Sequence, residues 1–189
     1  ETKISYPVYF TGDLREISLS GEAYFKVAKE NTRPFCVRSG EYCLKVYGTE
    51  FNLNTYDEEN IEAVLVKGSV GFQANEAAPE KRLKVNQLGV ANSKAGTSVI
   101  QDVDVTSYIA WKNHDLIFVN EELESIMKKV SRWYDVNIIF EDEVSKAVRF
   151  NGNIPKYAEL EKLLYVMEKT SDVRFRITDK TIRITKRKK

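Results

Sequence analysis

With one histidine, two cysteines and only singly placed glycines, the chain lacks most of the side chains from which enzymes and cofactor proteins build their sites. A Ser-His-Asp triad or a histidine-bearing metal cluster would have to form around His114. That residue lies between Asn113 and Asp115 in a polar stretch, where a surface histidine is the ordinary case. One histidine and two cysteines are too few ligands for a structural zinc site. No G-x-G-x-x-G or phosphate-loop pattern occurs, so a nucleotide has no cradle and no cofactor is expected. The net charge of +1 provides no field to draw in nucleic acid or a membrane surface. The basic tail Lys186-Arg187-Lys188-Lys189 reads as a solvated terminus. No apolar run approaches the ~20 residues that span a bilayer. The chain opens on Glu1-Thr2-Lys3, with neither initiator methionine nor signal peptide, and reads as an excised or processed fragment.

What is present is a soluble, ordinary composition, 42% apolar and 30% charged over 189 residues, enough for one large domain or two small ones. Residues 1–105 read as strands throughout: 4–10, 15–20, 22–28, 35–38, 42–47, 50–56, 61–67, 69–74, 82–91 and 98–105. Ala23, Phe25 and Val27 alternate with Glu22, Tyr24 and Lys26, the period of two that a half-buried strand requires. Ala63 to Val66 is apolar at every position, which predicts a strand covered on both faces. Residues 76–81 read as a polar loop. Strands recurring this closely, with no helical window between them, predict an all-β sandwich or solenoid-like roll.

The pattern changes near residue 116, after a connecting segment at 106–115. Leu116 to Val119 reads as a strand, and Asn120 as an N-cap with Glu121 and Glu122 in the first turn. Leu123, Ile126, Met127, Val130, Trp133 and Tyr134 follow at helical spacing and predict an amphipathic helix of about 14 residues. Strands at 136–140 and 148–154, a second helix marked by Leu160, Leu163, Leu164 and Met167, and a hairpin of 173–178 with 181–185 complete the chain. The two halves repeat at an offset of 37 residues: Leu123 matches Leu160, Ile126 matches Leu163, and Asp135-Val136 matches Asp172-Val173. Residues 116–189 therefore read as a duplicated βαβ unit packing as one small α+β domain. The overall fold class is mainly β plus α+β.

Four motifs stand out in the first region: Gly-Glu-Ala-Tyr-Phe-Lys-Val at 21–27, Arg-Pro-Phe at 33–35, Val-Tyr-Gly-Thr-Glu-Phe-Asn-Leu at 46–53 and Val-Lys-Gly-Ser-Val at 66–70. In order and spacing they resemble the periplasmic sensor region of FecR-family anti-sigma factors. Residues 116–189 resemble the helper domain that follows this region in Bacteroidetes-type proteins. They are also similar to the short N-terminal domain of secretins and TonB-dependent transporters, through Leu116-Ile117-Phe118, Asn120 to Leu123, Arg132 to Val136 and Phe150-Asn151-Gly152. Tyr108 to Trp111 matches the short segment such proteins place between the two domains. The resemblance implies the periplasmic part of a single-pass inner-membrane protein, with a cytoplasmic sigma-binding segment and one membrane helix upstream. It also implies one or two further strands before Ile4. Its implied partners are the periplasmic signalling domain of an outer-membrane TonB-dependent transporter and, through the cytoplasmic segment, an extracytoplasmic-function sigma factor. Nucleic acid and small-molecule substrates are not expected.

Two groups of residues carry further expectations. A two-residue turn at Ser39-Gly40 would set Cys36 opposite Cys43 as a hydrogen-bonded pair with Cα atoms ~5.5 Å apart. A disulfide there would stabilise by ~2.5 kcal/mol in the chain-entropy model, whereas the resemblance implies branched aliphatics at these positions and so a pair of buried thiols. Both readings stand on the sequence. The partner is expected to dock on a sheet edge of the C-terminal domain or on the exposed flank of a helix. Thr181, Ile182, Arg183, Ile184 and Thr185, which form the last strand, are the candidate edge for strand addition. Arg183 and its basic neighbours would favour an acidic surface. The acidic runs Asp57-Glu58-Glu59 and Glu141-Asp142-Glu143 fall at predicted turns, where carboxylates are solvated. A second reading is a glycan-binding β module that uses the aromatics of residues 1–105, and it predicts saccharide binding lost on replacing exposed tyrosines.

Overall fold

A computed structural model describes residues 2–57, 59–72, 78–92, 94–155 and 157–187. The chain divides into two compact units, residues 1–109 and 110–189. The outer end of the expected 69–74 strand, the start of the 76–81 loop, Glu58 and the last two tail lysines lie outside the described residues.

The first unit contains eleven strands among the described residues, β1 (Lys3–Ser5), β2 (Arg15–Ser20), β3 (Glu22–Lys26), β4 (Phe35–Ser39), β5 (Tyr42–Val46), β6 (Glu50–Asn54), β7 (Asn60–Lys67), β8 (Val70–Phe72), β9 (Lys81–Leu83), β10 (Gln87–Asn92) and β11 (Thr97–Asp102), then helix α1 (Val105–Ile109). They form a four-stranded sheet ordered β1-β2-β4-β5, a five-stranded sheet ordered β11-β10-β7-β6-β3, and a small β8-β9 ribbon. One core joins the two large sheets. Ile17, Leu19, Val37, Leu44 and Val46 from the first meet Phe51, Leu53, Ile61, Ala63, Leu65 and Ala91 from the second. The arrangement is a sandwich, because alternating strands offer each sheet one apolar face to bury. Among these strands β7 stands apart. Its Ile61, Ala63 and Leu65 face the sandwich core, while Val64 packs with Leu88 and Val105 beneath α1, so both faces are covered as its apolar run predicts.

Three segments depart from the strand pattern expected of them. The 4–10 segment pairs only over Lys3–Ser5, and Tyr6, Val8 and Tyr9 stand exposed. The 82–91 strand is broken between β9 and β10, where Asn86 adopts a left-handed backbone (φ 66°). In β4–β5 the turn is Gly40-Glu41, with Gly40 at φ 55°, and the register pairs Ser39 with Tyr42, Arg38 with Cys43 and Cys36 with Lys45. Turns of two residues that begin at positive φ favour glycine in the first position, which moves the hairpin by one residue on each arm. Cys36 and Cys43 are therefore diagonal rather than opposite. Elsewhere Gly89 has a packing reason, since a Cβ there would come within 2.7 Å of the Phe72 ring.

The second unit begins with a 3-10 turn (Ala110–Asn113), followed by β12 (Asp115–Glu122), α2 (Leu123–Tyr134), β13 (Asn137–Phe140), a 3-10 turn (Val144–Ala147), β14 (Arg149–Pro155), α3 (Leu160–Lys169), β15 (Val173–Thr178) and β16 (Thr181–Lys186). Both helices start at a leucine and follow an extended glutamate, Glu122 and Glu159, so the 37-residue repeat is visible in the backbone. Asn120 is not a helix cap. It sits in β12 at φ 49°, where the β12–β14 register shifts between Phe118 and Glu121, and this bulge delays the helix to Leu123. Neither repeat closes into a βαβ unit within a single sheet. The first strands β12 and β14 pair antiparallel with each other, whereas β13 and β15 belong to a three-stranded sheet. Leu123, Ile126, Met127 and Val130 from α2 and Leu163, Leu164 and Met167 from α3 share one core with Ile182, Ile184 and Val173.

Candidate functional site

The sheet of the second unit decides where a partner strand could add. Its order is β13-β16-β15, so Thr181 to Thr185 is the central strand. The expected edge is thus occupied on both sides, parallel to β13 and antiparallel to β15. Ile182 and Ile184 are fully buried, and only Thr181, Arg183 and Thr185 point to the opposite face. The last strand in sequence became central because β13, some forty residues earlier, takes its outer side. No local pattern encodes such a pairing.

The two true edges are not equivalent. In the β15–β16 ladder the even-numbered residues of β15 bond inward, as continued by the Arg187 N–H donating to the Asp172 carbonyl (2.6 Å). The backbone of Phe175 thus faces outward, but its N–H donates to Glu168 Oε1 of α3 at 3.1 Å. A carboxylate on the neighbouring helix thus occupies the middle of that edge, at Phe175. On β13 the inward groups belong to the odd residues: the Asn137 N–H donates to the Lys180 carbonyl (2.7 Å) and the Glu141 N–H to the Ile184 carbonyl (2.8 Å). Ile138 and Phe140 therefore direct their backbone groups to the open side. Beside them runs an open groove of about 400 Å³, floored by Met127, Ile138 and Phe140 and walled by Glu124, Lys128 and Arg132 of α2.

Asp142 fastens the end of this edge. Its carboxylate accepts the Ser145 N–H (2.7 Å), the Ser145 hydroxyl (2.8 Å) and the Lys186 N–H (2.6 Å), in effect continuing the ladder to β16. Burial pushes the Asp142 carboxyl up, but these bonds together with the Thr185 hydroxyl outweigh it and hold the group below the usual aspartate range. The acidic run 141–143 is thus a structured turn, and Asp57 likewise accepts the Glu59 and Asn60 N–H groups (2.9 and 3.3 Å).

The remaining candidates lie apart from this sheet. His114 is exposed at φ 65°, with its ring 5.7 Å from that of exposed Tyr157. No group of three or more potential metal ligands is found among the described residues, and no helix there is long and apolar enough to cross a membrane. Cys36 and Cys43 place their sulfurs at bonding distance, with Cα atoms 5.9 Å apart. They lie on the outer face of the first sheet, with Glu16 and Arg38, whose bidentate pair closes at 2.8 Å on both arms. Tyr6, Tyr9 and Tyr47 are exposed, and Phe10, Phe25, Phe35, Phe51, Tyr42 and Phe72 form ring pairs that are core contacts.

Two family models match in tandem: that of the FecR protein over residues 1–71 and that of the FecR C-terminal region over residues 115–184. Two crystal structures of a proposed anti-sigma factor from Parabacteroides distasonis ATCC 8503 are similar over almost the whole chain. Both are 26% identical in sequence and cover 98% of this chain and 86% of that one, with TM-scores of 0.85 and 0.84. No curated protein matches the chain.

Proposed function

The chain belongs to the FecR family of anti-sigma factors, and from that premise we propose that it is the signal-receiving portion of a single-pass inner-membrane regulator, exposed to the periplasm. Its input is the periplasmic signalling domain of an outer-membrane TonB-dependent transporter. Its output, through a cytoplasmic segment, is control of an extracytoplasmic-function sigma factor. The observation that carries the docking part of this reading is the contrast between the two edges of the C-terminal sheet. The β13 edge presents the backbone of Ile138 and Phe140 beside a groove, whereas on the β15 edge Glu168 already takes the Phe175 N–H. An extended segment of the transporter domain adds to β13, with backbone hydrogen bonds supplying affinity and the groove reading alternate side chains.

The experiment is a calorimetric titration of the chain with the signalling domains of TonB-dependent transporters encoded beside its gene. Saturable binding by one neighbour is expected, and it is lost on introducing proline at Ile138. That residue's N–H points away from β16, so proline removes a docking donor without removing a ladder bond. Binding that survives Ile138→Pro would move the docking site elsewhere, and binding to none of the neighbours would set aside the transporter.

A further inference from the structure

The helices of the second unit cover only one face of its three-stranded sheet. Ile182, Ile184 and Val173 point into the helical core. By the same alternation, Asn137 and Ile139 of β13, Thr181, Arg183 and Thr185 of β16, and Arg174, Arg176 and Thr178 of β15 point the other way, and the three arginines are exposed. Arg176 is the direct cross-strand partner of Arg183, and Arg174 lies two residues along the same strand, opposite Thr185.

Like charges set directly opposite one another on a sheet face destabilise it. Among the described residues the ion pair at these three arginines joins Arg183 to Glu141 at 3.6 Å, at the margin of the face. The rest of the face is small and flat: two half-buried threonines, an exposed threonine, an asparagine and one exposed isoleucine. In a chain of net charge +1, three arginines on one sheet face are a local concentration of charge. Every cation on it is arginine, whose planar fork grips carboxylates in pairs, rather than lysine.

We propose that this arginine face is a recognition surface for an acidic protein, contributed by the same partner that docks on the C-terminal unit. This rests on the docking reading above and deepens it: the transporter domain should carry a row of carboxylates placed to meet Arg174, Arg176 and Arg183. The opposed arginines are then a cost of the free state that the partner's carboxylates relieve. An anionic membrane surface is the competing occupant. It is disfavoured because the face has no aromatic or long aliphatic side chain to enter a bilayer other than Ile139.

Arg176→Glu in the full chain separates a recognition role from a structural one. It converts the opposed pair into an attractive one, so the melting temperature of the C-terminal unit at low salt rises. The same change weakens binding of the neighbouring signalling domain by about tenfold or more, chiefly in the association rate. Wild-type affinity falls as salt rises from about 50 to about 300 mM, and the variant's falls less. A variant that binds the domain as tightly as wild type, with the same salt dependence, overturns the inference and leaves the docking reading intact. Co-sedimentation of the wild-type chain with phosphatidylglycerol vesicles, abolished by Arg176→Glu while domain binding is retained, overturns it in favour of the membrane. A wild-type chain that binds no neighbouring domain overturns inference and docking reading together.

Discussion

The two units treat their surfaces in opposite ways. In the first, β7 is buried on both faces, by the sandwich core on one side and by Val105 of α1 on the other. In the second, the three-stranded sheet is covered on one face only, and the bare face carries two arginines in direct opposition. One of its two edges is capped by a side chain and the other stands beside a groove. The first unit pairs polar side chains across neighbouring strands, as in the Glu16–Arg38 pair and the bond from buried Asn52 to Glu22 (2.8 Å). The second leaves backbone and charge unspent where a partner can reach them.

Substitutions can sharpen or break this contrast. The largest effect is expected at Phe51, fully buried between the two sheets and stacked on Phe25 at 5.1 Å. Phe51→Ala should cost about 3–5 kcal/mol, read from chemical denaturation followed by a probe in the first unit. Next comes Ile182→Ala at the centre of the C-terminal sheet, where loss of a buried branched side chain costs about 2–4 kcal/mol. A sheet-edge role for this strand would instead leave stability nearly unchanged. Third is the pair Cys36 and Cys43. We expect the protein recovered from an oxidising compartment to resist alkylation until reduced. Reduction, or Cys43→Ser, should then lower stability by ~2.5 kcal/mol if the entropy of an eight-residue loop governs it.

The smallest effect depends on pH. Asp142 is held below its unfolded range, so its contribution is fully present above the unfolded value and is lost as pH falls through the lower, folded one. Asp142→Asn should lower the melting temperature of the second unit at neutral pH. The gap from wild type should narrow in acid, below about pH 4. A gap that stays constant across that range would show that the carboxylate's charge is not what fastens β13 to β16.

Much of this architecture was legible in the residues. Alternation identified most strands, the apolar run at Ala63 to Val66 identified the doubly covered β7, and the 37-residue repeat gave the paired helices of the second unit. What escaped was set by nonlocal or backbone geometry. The parallel pairing of β13 with β16 makes the final strand central, and nothing near Thr181 announces it. The β12 bulge at Asn120 and the turn at Gly40-Glu41 each depend on a residue in the left-handed region, and they moved a helix start and a hairpin register. The arginine face did leave a signal, because Arg174, Arg176 and Arg183 alternate with Val173, Phe175, Ile182 and Ile184. Its meaning appeared only once the register set Arg176 against Arg183.

The most direct test compares two prolines of the same kind on the two edges. Ile138→Pro and Ile177→Pro each remove an outward-facing N–H from the C-terminal sheet, one on the open edge and one on the edge that Glu168 guards. Each variant would be titrated with the signalling domain of a neighbouring transporter. The expected result is binding abolished by Ile138→Pro and retained by Ile177→Pro, with both variants folded. Loss on the β15 side with binding kept on the β13 side would contradict it.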